Sequence, residues 1–276
     1  MGLRINTNIA SQEVQRNLRV NSSEQEAEFA RLSSGKRITK SADDAAGLAI
    51  AKKLEASTKG LKMATRNAND AISMVQVAEG GLNESTNILS RLRELSVQAA
   101  SDTVGQEERG YLNMEYQQLT QELDRIAVTT NYNGKSLLKG EGDTMQFQVG
   151  AFGGEENRIE FDAGSTDATI ENLGVGGTSV IEKSDASSNL ERIDQAIGKV
   201  SGYRANLGAM QSRLQTSISN LEIAAVNQEA ARSRIEDTDV AASSAKLASI
   251  NIMKAAGTAV LSQANDIPAA ALKLVS

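Results

Sequence analysis

The sequence predicts a mainly α-helical protein, an elongated antiparallel helical rod or coiled coil interrupted by a small β-hairpin region. Three observations point there. Apolar residues recur at alternating intervals of three and four over two long stretches, near 59–100 and 188–235, as they do along one stripe of a packed helix. Aromatic residues are scarce, with no Trp, four Phe and four Tyr in 276 residues, so the chain must bury many small aliphatic contacts along long helices. The period changes to two only near residues 145–161. There Met145, Phe147 and Val149 alternate with Gln146 and Gln148, and Ile159 and Phe161 flank Glu160, which reads as a hairpin across Gly153-Gly154.

The first long stripe runs Leu61, Ala64, Ala68, Ala71, Val75, Ala78, Leu82, Ser85, Leu89, Leu92, Ser96 and Ala99, widened by Ile72, Ile88 and Leu95. Gly80-Gly81 within it lowers helix propensity by roughly 1 kcal/mol per Gly, which predicts a kink or a close neighbour. A shorter stripe, Leu112, Tyr116, Leu119, Leu123 and Ile126, follows the turn at Ser101–Gly105 and ends before the Asn133-Gly134 turn signal. From Asp162 to Ser188 the chain is rich in Gly, Ser, Thr and Asp and reads as a surface loop. Helix is expected to resume near Ser188 with Leu190, Ile193, Ile197, Val200, Leu207, Leu214, Ile218, Leu221, Ala225 and Ile235 in one register. Roughly 45 residues at 1.5 Å each give about 70 Å, matching the first long helix.

The two ends differ from the middle. The first thirty residues carry sparse apolar positions, Leu3, Ile5, Ile9, Val14 and Leu18. The last forty carry a small-residue stripe, Ala241, Ala245, Ala248, Ile252, Ala255 and Ala259, before Pro268 interrupts. Neither end is apolar enough to hold a helix alone in water, so each needs a partner to order. Ala at successive positions lets helices approach closely but buries little area each, so this stripe reads as a close-approach surface served by many neighbours.

Composition excludes several function classes. Net charge is −6 with no basic run or aromatic platform, which argues against nucleic acid, and no apolar stretch is long enough for membrane insertion. The absence of Cys and His removes disulfides, thiolate and imidazole metal sites, and His-based catalysis. No catalytic, cofactor or metal residue is assigned. Ser41-Ala42-Asp43-Asp44 reads as an N-cap and acidic first turn, with Ser41 as the cap, and Asp237-Thr238-Asp239 as a turn between helices. Gly174-Val175-Gly176-Gly177 lacks the following Lys-Ser/Thr of a phosphate loop and reads as a turn. The opening residues, Met1 to Asn8, have no apolar run or cleavage site, so by that test alone the chain reads as cytoplasmic.

Specific segments carry a resemblance. They are Leu32-Ser33-Ser34-Gly35-Lys36-Arg37-Ile38 with Ala42-Asp43-Asp44-Ala45-Ala46-Gly47-Leu48-Ala49-Ile50-Ala51, then Arg91 to Gln98, Asn133 to Leu138, Leu207 to Leu214, Ala231 to Asp239, and Ala256 to Asn265. In order and spacing they resemble the bacterial flagellins, leaving only about 140–188 unmatched, as the family's variable centre would be.

The resemblance implies a structural subunit that self-assembles into the flagellar filament for swimming motility. Its two chain ends would pair as a terminal two-helix coiled coil around a central channel. On that reading residues 1–40 form the N-terminal part of the inner coiled-coil domain and connector, and 41–140 the N-terminal helices of the rod domain. Residues 141–188 form the hairpin and variable loop, 189–235 the C-terminal helix of the rod domain, and 236–276 the C-terminal part of the inner coiled-coil domain. With no room for large outer domains, the filament should be slender and smooth. The final residues Leu272-Lys273-Leu274-Val275-Ser276 lack the family's frequent paired terminal leucines.

Implied partners are further copies of the chain, a flagellar export chaperone on the Ala241-to-Ala259 stripe, and the filament cap and junction proteins. Flagellins leave the cell unfolded through the flagellar export apparatus without a cleaved signal, so the resemblance reverses the compartment to extracellular. Ser and Thr between Ser165 and Ser188 match the setting of O-glycans in some flagellins, against the default of a solvated loop. Arg91, Leu95 and Glu115 resemble positions read by the vertebrate innate receptor for flagellin. The same residues also fit a buried Leu95 beside an Arg91–Glu115 ion pair. The alternative to a filament subunit is a hook–filament junction protein or a helical adaptor of the same appendage.

Overall fold

The structure, a computed structural model, describes residues 7–141 and 144–273, with side chains as far as Asp266. The chain is mainly α: α1 (Ile9–Ser34), α2 (Ala45–Ala99), α3 (Gln106–Thr129), α4 (Ile170–Leu173), α5 (Lys183–Glu236) and α6 (Val240–Lys273). Two antiparallel hairpins, β1 (Asn131–Tyr132) with β2 (Lys135–Ser136) and β3 (Thr144–Gln148) with β4 (Arg158–Asp162), lie between α3 and α4. Leu3, Ile5 and the tail Leu274-Val275-Ser276 lie outside the described residues. The backbone of α6 continues through Pro268, so the interruption expected there does not end the helix. Contacts divide the chain into one unit of residues 1–56 with 227–276 and another of 57–226.

In the 57–226 unit, every position of the α2 stripe from Leu61 to Ala99 is buried. Ser85 and Ser96 sit in that core because each hydroxyl donates back to the carbonyl four residues earlier, at 2.9 Å to Gly81 and 2.8 Å to Leu92, leaving no polar hydrogen unpaired. From α3 come Tyr116, Thr120, Leu123 and Ala127, and from α5 Ile193, Ala196, Val200, Leu207 and Leu214. Gly81 is where a close neighbour enters: a Cβ there would lie 2.8 Å from both Leu138 Cδ1 and Thr130 Oγ1. The β1–β2 turn has φ of +50° at Asn133 and +77° at Gly134, the pair of left-handed residues a tight two-residue hairpin needs.

The β3–β4 register sets Met145 opposite Phe161 and Phe147 opposite Ile159, so one face of the ribbon is apolar. That face lies on α2, where Asn67 Nδ2 donates to the Gln148 carbonyl at 3.1 Å.

The 162–188 segment corrects the surface-loop expectation. Ala163, Ala168, Leu173, Val175 and Val180 are buried in the main core. Their spacing is irregular, so no helix or strand period betrays them, and backbone groups that a loop would give to water are met by side chains instead. Tyr116 Oη and Thr178 Oγ1 are 2.8 Å apart, Gln117 Nε2 donates to the Thr178 carbonyl at 2.7 Å, and Asn113 Oδ1 accepts from Val180 N at 3.1 Å. Burial pushes the Tyr116 hydroxyl pKa up, against the opposing hydrogen bonds from Thr178 and Ser96. Helix α5 also starts earlier than expected, at Lys183, because Ala186 and Asn189 are drawn into the same packing, with Asn189 Nδ2 donating to the Ser179 carbonyl at 2.7 Å.

Candidate assembly surface

In the other unit, α1 and α6 pair antiparallel along a thin seam. From α1 the seam positions are Ser11, Val14, Leu18, Asn21, Gln25, Glu28 and Leu32, flanked by the half-buried Ser22, Ala30 and Arg31; from α6 the buried and half-buried positions are Ser243, Leu247, Ile250, Lys254, Gly257, Leu261 and Ala264. Both sets step by three and four, the geometry of a two-helix coiled coil. Few large aliphatics meet there, and polar contacts fix the register. Glu28, 2% exposed, accepts from Arg31 at 2.9 Å and faces Lys246 at 3.1 Å. Burial alone would raise the Glu28 pKa. The hydrogen bond and charge of Lys246, with Arg31 and Ser243, outweigh it and hold the carboxyl below its ordinary range. Further along, Gln25 Nε2 donates to Asn251 Oδ1 at 2.6 Å, Lys254 Nζ donates to Gln25 Oε1 at 2.9 Å, and Asn8 Nδ2 donates to the Ala264 carbonyl at 2.8 Å. Gly257 admits Leu18: a Cβ on the glycine would lie 2.8 Å from Leu18 Cδ2.

The stripe read from the sequence, Ala241, Ala245, Ala248, Ile252, Ala255 and Ala259, is not this seam. Every one of those residues is exposed, Ile252 by 70%. The seam is offset from it by two residues, which at about 100° per residue turns it to nearly the opposite side of the helix. Both registers repeat by three and four. The three large aliphatics Leu247, Ile250 and Leu261 were the signal that favoured the buried one.

The outward face is unusual in its chemistry. Between Val240 and Asn265 the only charged residues are Lys246 and Lys254, and both reach across the seam to α1. Val240, Ile252, Met253 and Val260 of α6, with Ile9, Val20 and Phe29 of α1, are exposed large apolar residues. On α1 these stand among exposed charges, Glu13, Arg16, Arg19, Glu24 and Glu26, whereas on α6 exposed apolar surface without charge marks an interaction face.

The connectors beside this hairpin occupy the acidic residues. Gly35, at φ +70°, ends α1, and Lys36 then bridges to Asp237 as an isolated β pair. Arg37 N donates to the Glu236 carbonyl at 2.7 Å, and Lys36 Nζ reaches the buried Glu236 Oε1 at 2.6 Å. The N-cap of α2 is Asp44, whose Oδ1 accepts from Gly47 N at 2.8 Å, rather than Ser41. Asp43 Oδ2 instead accepts from Lys40 N and Thr39 N, both at 2.9 Å, and these bonds lower its pKa. Asp239 caps α6 through Ala241 N at 2.9 Å and Ala242 N at 3.2 Å. Their oxygens are directed at backbone N–H groups.

On the 57–226 unit, Arg91 reaches Glu115 at 2.8 Å and Glu94 at 2.9 Å, all three exposed. Leu95 is 1% exposed and lies in the main core. The expected three-residue patch therefore reduces to the polar pair, because Leu95 lies three residues from buried Leu92 and widens the inward stripe. Thr166 and Thr178, among the hydroxyls weighed as glycan sites, are buried, while Ser165, Ser184, Ser187 and Ser188 are exposed.

The paired ends, with a largely uncharged face turned outward on α6, and a separately packed helical unit define a helical protein with an open interaction face. The comparisons with known proteins give the family. Residues 5–143 match the bacterial flagellin N-terminal helical region and residues 190–275 the bacterial flagellin C-terminal helical region. A flagellin of Halalkalibacterium halodurans is 41% identical over 271 residues, 98% of this chain and 99% of that protein. The flagellar filament 33 kDa core protein of Treponema phagedenis is 36% identical over 284 residues, again 98% of this chain and 99% of that protein. The crystal structure of Bacillus cereus flagellin, 29% identical, superposes with a TM-score of 0.51 over 56% of this chain and 88% of that one. The chain belongs to the bacterial flagellin family.

Proposed function

We propose that the chain is the structural subunit of a bacterial flagellar filament, elongating a homopolymer outside the cell through its paired ends. The observation that carries this is the outer face of α6 from Val240 to Val260, free of charge, exposed in the single chain and set opposite the seam. Family membership over nearly the whole length supports it. Each α6 buries little area against α1, so a face of Ala, Ile, Met and Val gains its stabilisation only where several copies surround it. The role is structural, and no step of it calls for catalysis.

The test is seeded elongation followed by light scattering, comparing the chain with Ile252→Lys. A lysine at a position 70% exposed leaves the single chain folded, and circular dichroism should be unchanged. Elongation should fall at least tenfold. A chain that binds seeds and stops growth would instead be a cap or junction component of the appendage.

Before assembly the same face needs cover. The stripe Ala241, Ala245, Ala248, Ile252, Ala255 and Ala259 is the segment we assign to an export chaperone, whose helical groove would take a small apolar face. Retention of the full chain but not of one ending at residue 239 on the immobilised chaperone is expected; equal retention would place the contact elsewhere. The filament cap and junction proteins would meet the same face at the ends of the polymer. The Arg91–Glu115 pair is what we assign to the vertebrate innate receptor.

A further inference from the structure

The loop between β3 and β4 holds an aromatic residue out into solvent on a fixed mount. Phe152 is 62% exposed, one of only four Phe in the chain. Its backbone is not free to fold the ring inward. Gln148 Nε2 donates to the Gly150 carbonyl at 2.9 Å and to the Phe152 carbonyl at 2.8 Å, and Val149 N donates to the Asn157 carbonyl at 2.8 Å. Beside it Ala151 is pressed on α2, where a Cβ on Gly60 would lie 3.1 Å from the alanine Cβ. With the backbone beneath it already held, an aromatic side chain has only two torsions to order on docking.

The same unit carries a cavity of the complementary kind. Met74, Tyr132, Met145 and Phe147 line a hollow of about 280 Å³ together with Asp70, Lys135 and three uncharged polar residues. Methionine and aromatic walls suit a phenyl ring by area and by sulfur–aromatic contact. The hollow cannot take its own chain's Phe152. Gly60 lies ten to fourteen residues from Asp70 and Met74 on α2, about 15–21 Å along one helix, and Phe152 is tied beside Gly60. The hollow carries one charge of each sign, Asp70 and Lys135, and the second can meet an anion. Glu155 follows Phe152 on the loop and Lys135 stands at the hollow, and among the described residues neither forms an ion pair within its own chain.

We propose that Phe152 of one copy seats in the Met74–Tyr132–Met145–Phe147 hollow of a second copy, with Glu155 meeting Lys135 across the contact. Knob and hole are different patches of one surface, so the contact is heterologous. Every copy offers both, and the contact repeats without closing into a dimer. It adds a side-to-side link between the 57–226 units that is separate from the α6 face.

The chain has no cysteine, which allows a direct test. Filaments of full-length Gly153→Cys/Thr144→Cys, which keeps Phe152, are grown on seeds, oxidised, and run under denaturing conditions; a Cβ at Gly153 meets nothing and Thr144 lines the hollow. A ladder of covalent oligomers is expected, while each single variant stops at dimer. Filaments without a ladder beyond dimer would overturn the proposal. If the double variant does not elongate, Phe152→Ala decides: its critical concentration should rise at least fivefold with circular dichroism unchanged, and a value within twofold of the parent's would overturn it. The inference rests on the filament role, which elongation of the unmodified chain tests by itself.

Discussion

Glu28 Oε1 and Lys246 Nζ stand 3.1 Å apart across the α1–α6 seam, with the carboxylate buried and the ammonium half-exposed. An alanine or leucine at residue 28 would pack against any small stretch of α6. A carboxylate with Arg31 on its own helix and Lys246 opposite is satisfied in one alignment only, so the pair selects the register of a seam too poor in aliphatics to select it by shape.

Glu28→Gln should therefore weaken the pairing by about 1–2 kcal/mol, since the amide keeps the volume and an acceptor oxygen but loses the negative charge that both cations meet. The acid response follows from the sign of the shift. A carboxyl whose folded pKa is depressed contributes its stabilisation fully above the unfolded value, about 4.3, and loses it as the pH falls through the lower folded value. Thermal melts followed by circular dichroism from pH 7 to pH 3 should show the parent losing helicity in that window. The Glu28→Gln chain, less stable at neutral pH, should approach the parent as acid is added.

Gly257 and Leu18 give a second, apolar test of the same seam. A Cβ at 257 meets only the flexible end of Leu18, so Gly257→Ala should be nearly neutral once Leu18 shifts. Gly257→Leu cannot be absorbed and should cost roughly 1–3 kcal/mol by overpacking. Leu18→Ala added to it should recover part of that loss. A double-mutant cycle on the melting transition measures the recovery, and additive losses would show that the two side chains do not meet.

In the 57–226 unit, Tyr116→Phe should cost about 1 kcal/mol. Thr178 loses a partner but keeps its own bond to the Val175 carbonyl at 2.7 Å. Leu92→Ala, emptying a position buried on the α2 stripe, should cost about 2–5 kcal/mol. Denaturant unfolding of the two variants checks the order of these effects, and a Tyr116→Phe loss larger than that of Leu92→Ala would mean the 163–182 segment is held mainly by this hydroxyl.

What could be read in the sequence was what repeats. The Leu61-to-Ala99 stripe is buried at every position because a long helix must keep one face inward, and the Met145–Phe161 alternation became the β3–β4 ribbon for the corresponding reason at period two. The segment around Leu173 and Val180 was hidden because its burial is enforced by Asn113, Gln117 and Asn189, side chains distant in sequence. In α6 two registers share one period, and small residues at 241–259 drew attention to the face that is open. The choice between them depends on α1, through Glu28 and Gln25, and one helix's sequence does not contain its partner.

The Arg91–Glu115 assignment separates contact from folding in a way the sequence alone did not. Because Leu95 is buried with Leu92 and Tyr116 in the same core, Leu95→Ala should lower the stability of the unit by about 2–5 kcal/mol. Lost receptor signalling by that variant would then follow from unfolding and says nothing about a surface. Arg91 and Glu115 are half-exposed, and their ion pair is open to solvent, so Arg91→Ala and Glu115→Ala should leave the melting transition within experimental scatter of the parent's. If the vertebrate receptor reads this pair, monomer carrying either change should signal at least tenfold more weakly while its circular dichroism is unaltered. Charge reversal at both positions, Arg91→Glu with Glu115→Arg, should restore the intramolecular pair without restoring recognition, because the receptor meets each charge at a fixed place. Full signalling by the folded single variants would refute the assignment and leave the pair as a surface contact between α2 and α3.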